Sequence, residues 1–282
     1  MKKAIAMVSI ISAPMLAGAE TVNVDGHDVY YEVHGELTPD QPPVLLLHGG
    51  AMNITSTFAD LIPGLSEDRA VIGVEQQGHG HTPIHDGDFT LATMRADTLA
   101  VLDELDVEQA HVIGFSMGGM LGLELAVNAH ERVASLSAIS ASQNGDGMLP
   151  DLVKMNQDPT HQPSPEVAAL MPSEEEFAQM AADTAEMNPG GAEAFQAMMA
   201  KTSALIASDW GWTDEELAAI PLPVQIILGD NDFVTLDHAL HMKKTIPDAW
   251  LAVLPDTEHM NIMSRPELPI LLKRRIDTPQ RH

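Results

Sequence analysis

The sequence predicts an α/β protein: a mostly parallel central sheet flanked by helices, with a block of helices inserted late in the chain. Three observations carry that prediction. From Val44 onward, short apolar runs alternate with helical stretches, the pattern of parallel strands joined by crossover helices. One such strand runs straight into Gly114-x-Ser116-x-Gly118 and an apolar helix. Ser142 to Ile220 then carries no strand signal, only helical stretches broken by prolines.

Taken in order, Thr21 to Val24 and Val29 to Val33 read as strands around Asp25-Gly26, a strong hairpin signal. Val44-Leu-Leu-Leu47 is a continuous apolar run of the kind buried on both faces of a parallel sheet. A helix is expected over Thr55 to Leu61 and a strand over Ala70 to Val74. Thr90 to Leu105 places Leu91, Met94, Thr98, Val101, Leu102 and Leu105 at helical spacing. Strand Ala110 to Ile113, helix Met117 to Asn128 and strand Val133 to Ile139 follow. After the strand-free stretch come strand Val224 to Leu228, helix Leu236 to Thr245, strand Trp250 to Leu254 and an amphipathic helix ending near Ile276. The expected organisation is a core over 20–141 and 221–282, with a helical cap over 142–220 above the carboxyl ends of the strands. That cap holds seven of the 17 methionines, soft side chains that can line an apolar cleft or fill the cap's own core. Trp210 and Trp212 stand where the cap returns to the sheet.

Composition bounds the function. With 45% hydrophobic and 20% charged residues, 282 residues suffice for a sizeable core. A formal charge of −27 repels nucleic acid and anionic membranes, so neither is an expected partner. Residues 1–19 form a separate unit: basic Lys2-Lys3, an apolar run from Ala4 to Leu16, and small-x-small Ala17-Gly18-Ala19 before Glu20. This reads as a secretory signal peptide cleaved after Ala19, too short to span a bilayer. Its loss removes two lysines and no acid, taking −27 to −29. The expected location is periplasmic or secreted, with no membrane insertion after cleavage. The absence of cysteine excludes disulfides, a thiol nucleophile and a lipid-modified cysteine.

The chemistry centres on Ser116. A strand-to-helix turn with glycines two residues either side is the nucleophile elbow, which lifts the serine hydroxyl out of the sheet at a helix N-terminus. A serine hydroxyl needs a neutral imidazole to take its proton and a carboxylate to orient that imidazole. Two late loops supply them, each at the carboxyl end of a strand: Gly229-Asp230-Asn231-Asp232 and Pro255-Asp-Thr-Glu-His259. His259 is the expected base. Asp232 is preferred as the acid, with Asp230 as the alternative on the same turn. Oxyanion donors are expected from the backbone N–H of Met117 and from Leu47-His48-Gly49-Gly50-Ala51, where Gly50 is assigned and Ala51 stands next. His48 is expected to brace that loop. His27, His34, His85, His130, His161, His238, His241 and His282 read as surface residues. Gly78-His79-Gly80-His81 offers two histidines without a clear third ligand, and is read as a structural loop. No metal site and no cofactor are expected.

His48-Gly49-Gly50, Gln77-Gly78-His79-Gly80, the serine elbow, Gly229-x-x-Asp232 and the late His259 together resemble the α/β-hydrolase superfamily, and most of all its capped carboxylesterases. The resemblance covers about Thr21 to Ile276. It implies Ser116 as nucleophile, Asp232 as orienting acid, His259 as base, and Gly50 and Met117 as oxyanion donors. Glu75-Gln76-Gln77 before Gly78-His79-Gly80 departs from the pattern, since many members carry an aspartate there. Dehalogenases and epoxide hydrolases of this superfamily use a carboxylate nucleophile, so serine here implies acyl transfer to water. The expected function is a secreted serine hydrolase of small-molecule carboxylic esters. Alternatives on the same triad are an aminopeptidase, using Glu174, Glu175 and Glu176 to hold an amine, a lactonase, a thioesterase or a perhydrolase. A non-catalytic binding protein of the same fold is the alternative from another class.

Overall fold

The Asp25-Gly26 turn joins β1 (Gly18–Val24) to β2 (His27–His34) in register from Val24↔His27 outward. These are the first elements of a computed structural model that describes residues 18–158 and 160–278. The leader expected over 1–19 lies outside the described residues, apart from Gly18 and Ala19, which pair with Val33 and Glu32.

Beyond the hairpin, β3 (Val44–Leu47), β4 (Val71–Val74), β5 (Ala110–Phe115), β6 (Val133–Ile139), β7 (Val224–Asn231) and β8 (Ala249–Glu258) complete one eight-stranded sheet. Its spatial order is β1-β2-β4-β3-β5-β6-β7-β8. β1 and β2 pair antiparallel, as do β2 and β4, and every other pairing is parallel. The expected mostly parallel α/β sheet is therefore present.

Period-two alternation sends the strand residues into two separate cores. Leu45, Leu47, Ile72, Val74, Val112 and Ile226 pack on one face under α3 (Leu91–Glu104), α4 (Met117–Asn128) and α10 (Leu236–Thr245). Val44, Leu46, Val71, Phe115 and Ile227 pack on the other under α1 (Ile54–Phe58), α2 (Ile62–Leu65) and α11 (Leu268–Asp277). Between β6 and β7 lie α5 (Pro150–Gln157), α6 (Pro165–Ala168), α7 (Glu174–Met187), α8 (Ala192–Ala207) and the short α9 (Asp214–Ala218).

Two departures from expectation have local causes. The single helix expected over Thr55 to Leu61 is two, because a capping box between Asn53 and Ser56 starts α1 and Pro63 enters the first turn of α2. β7 and β8 also run further than their apolar cores, pairing out to Asn231↔Glu258 past an irregularity at Gly229. Pro255 is tolerated there because β8 is the edge of the sheet.

Candidate active site

Ser116 sits between β5 and α4 at φ 52 and ψ −116, a conformation that non-glycine residues rarely hold. Sequence enforces it by forbidding slack. A Cβ on Gly118 would stand 2.0 Å from the Leu47 carbonyl oxygen, so α4 lies hard against the end of β3. The Ser116 N–H donates to Ile139 O at 2.8 Å, tying the turn to β6 as well.

The loops after β7 and β8 meet this hydroxyl. His259 Nε2 lies 3.0 Å from Ser116 Oγ, and its Nδ1 lies 2.8 Å from Asp232 Oδ1. Phe233 stacks on the imidazole at 4.2 Å between centroids, and Phe115 flanks it at 5.1 Å. A Cβ on Gly229 would come within 2.0 Å of the Thr257 carbonyl oxygen, so the acid's strand and the histidine's strand touch without a gap. Asp232 is 5% exposed. Burial opposes its ionisation, but the His259 ring, the Ser140 hydroxyl and the Gly229 amide outweigh it and hold the carboxyl below its usual range. Asp230 faces away and is exposed, accepting from the Thr257 N–H at 3.0 Å and from Asn231. The arrangement lets a hydroxyl proton pass to an imidazole whose far nitrogen is held by a buried carboxylate.

Gly50 and Met117 line the same cavity, and a Cβ on Gly50 would stand 4.0 Å from that of Met117. Met117 opens α4, so its N–H has no partner within the helix. Ala51 differs. At φ 59, its N–H donates to His79 Nε2 at 3.2 Å. His79 in turn meets Gln77 O at 2.9 Å, and His48 spans Gly49 O and the Gln76 N–H at 2.8 and 3.0 Å. Burial pushes both imidazoles down, His48 to about 3 and His79 to about 4, so both are neutral braces. His81 turns instead to Glu75, at 3.0 Å. Glu75 is buried, which raises its carboxyl above the usual range, and it also takes the His81 and Ile54 amides.

A cavity of about 300 Å³ opens on Ser116. Four of the seven methionines in the inserted segment line it (Met148, Met171, Met180 and Met199), whereas Met198 is buried beside Gly78. Trp210 and Trp212 stand elsewhere; the Trp212 N–H donates to the buried Glu124. Glu174, Glu175 and Glu176 occupy the first turn of α7, where Glu176 closes a capping box with Ser173, and none lines the cavity.

Sequence reading missed three residues. Ser140, at φ 52 just past β6, donates its hydroxyl to Asp232 Oδ2 at 2.5 Å. Phe233 supplies the stack on His259. His238, expected at the surface, is half-buried and accepts the Gln143 N–H at 3.0 Å. Position after a strand end is the signal that could have found Ser140; the other two carry none.

A family model described as alpha/beta hydrolase fold matches residues 42–166. A protein named carbamate hydrolase RutD from Stutzerimonas stutzeri is 25% identical, over 85% of this chain and 92% of its own. A protein of the same name from Azorhizobium caulinodans is 36% identical over 43% of this chain, and the match spans only 44% of that relative's length. The crystal structure of an enol-lactonase from Burkholderia xenovorans LB400 superposes with a TM-score of 0.70 at 21% identity, covering 92% of this chain and 100% of that one. Sequence match and backbone superposition reach one conclusion by separate routes: the chain has the α/β-hydrolase fold.

Proposed function

We propose that this protein is a serine hydrolase that cleaves carboxylic esters through an acyl-enzyme on Ser116. One observation carries the reading: the line from Ser116 Oγ to His259 Nε2 at 3.0 Å and from Nδ1 to Asp232 at 2.8 Å. Ser116 Oγ attacks the ester carbonyl carbon as its proton moves to His259 Nε2. Negative charge collects on the carbonyl oxygen, which the amides of Met117 and Gly50 stabilise. Collapse expels the alcohol, which leaves with the proton from His259. Water then repeats the sequence on the acyl-enzyme, giving the carboxylic acid and free Ser116. Asp232 stays ionised and holds the ring in the required tautomer.

Turnover of p-nitrophenyl acetate, abolished by a serine-directed organophosphate and by Ser116→Ala, is the expected result. Ser116→Ala should keep its circular dichroism spectrum. Absent turnover with no label on Ser116 would favour the binding-protein alternative. Carbamates form a second reading, favoured by the names of the two relatives, since the same attack applies to a carbamate carbonyl. The leader is proposed to export the protein, with an N-terminus at Glu20 in the exported form as the check.

A further inference from the structure

We infer that the cavity above Ser116 is an acyl site that selects neutral esters with a flexible apolar acyl group and rejects acyl groups that carry a carboxylate. The inference rests on the serine hydrolase reading and adds the substrate class to it. Its basis is the cavity wall. Eight methionines and three phenylalanines line the space of about 300 Å³, and among the described residues no lysine, arginine, aspartate or glutamate does. Apart from His259 and Ser116, the polar side chains on the wall are hydroxyls, and that of Ser140 is engaged by Asp232.

A wall of this kind recognises by area alone. Each methylene removed from water into it contributes apolar burial, while thioethers with three rotatable bonds adapt to chains of different shape. An acyl carboxylate placed there would lose its hydration and find no cation to replace it. The acidic surface acts in the same direction, because a formal charge of −27 disfavours the approach of an anion. Phe177, 41% exposed yet part of the wall, puts apolar surface where the cavity meets solvent, so a chain meets an apolar rim on entry.

The test compares p-nitrophenyl esters of acetate, butyrate, hexanoate and octanoate with the mono-p-nitrophenyl ester of adipic acid, the carboxylate counterpart of hexanoate. A fluorophosphonate that labels Ser116 is run in parallel. The expected result is a rise in kcat/KM of about fourfold per added methylene until the cavity is full. The adipate ester should be slower than hexanoate by about a hundredfold or more. Met180→Lys, which sets a cation in the half-buried wall, should narrow that gap; its labelling by the fluorophosphonate reports an intact site. Turnover with a flat chain-length series, or with the adipate ester equal to hexanoate, overturns the acyl site and leaves the hydrolase reading standing. No turnover of any ester and no label on Ser116 overturns both. Should Met180→Lys fail to fold, the wild-type comparison alone decides.

Discussion

Ser140 holds a left-handed backbone conformation at φ 52 and spends its hydroxyl on the carboxylate hydrogen-bonded to His259. A hydrogen bond to a charged group is worth about 1.5–3 kcal/mol. Ser140→Ala is therefore expected to lower kcat about ten- to a hundredfold in steady-state ester kinetics, with little change in KM because the hydroxyl, although on the cavity wall, is engaged by Asp232. Asp232→Asn should cost about 10⁴ in kcat, whereas Asp230→Asn should leave kcat alone, since Asp230 is exposed and holds the Thr257 amide and the Asn231 side chain rather than His259. The reverse ranking would exchange their roles. Ser116, Asp232 and His259 were legible in the sequence because each follows a strand of recognisable apolar pattern. Ser140 was not: its place just after β6 was readable, but its contact with Asp232 comes from a backbone angle and from β7 lying beside β6, neither of which leaves a mark in a linear pattern.

At the scale of elements, Asn188 fastens the inserted helices to the sheet. It is buried at the end of α7, and its amide donates to Gly80 O at 3.0 Å and Thr82 O at 2.8 Å. Both carbonyls belong to the loop that also carries His79, so the attachment runs within a few residues of the proposed oxyanion donors. Asn188→Ala strands two buried carbonyls, a loss of about 2–3 kcal/mol expected in urea unfolding. A change under about 0.5 kcal/mol, the scale of an ordinary surface substitution, would show that the attachment lies elsewhere. Helices α4 and α10 and strands β3 and β6 match their sequence readings end to end; the glycine-flanked Ser116 marks the start of α4 and the Thr235 cap that of α10. The far ends of β7 and β8 were illegible. Residues such as Asp230 and Asp256 disfavour strand, Asp256 takes φ 50, and the pairing out to Asn231↔Glu258 skips both.

For the whole molecule, the buried imidazoles make stability depend on pH. Folding drives His79 from 6.5 to about 4, because burial penalises the cation. Below pH 6.5 the unfolded chain takes up a proton that the folded chain refuses, so stability falls until the folded value is reached. Between pH 7 and pH 5 that difference is about 2 kcal/mol for one such ring. In His79→Gln the stability lost over this interval should shrink by about 2 kcal/mol, read from urea unfolding of both proteins at both pH values. An unchanged loss would mean that the ring titrates freely in the folded state. The charge of −27 gave no hint of this, because net charge describes the surface while the effect arises in the interior. The two places where neighbouring backbones leave no room for a methyl group have a mechanical corollary. Gly118 against Leu47 welds the proposed nucleophile to the proposed oxyanion loop, and Gly229 against Thr257 welds the strand before Asp232 to the strand before His259. The proposed reaction centre is thus two stiff castings with β6 as the shared spine, and tightening on a proposed acyl group would register in the spacing between Ser116 and His259.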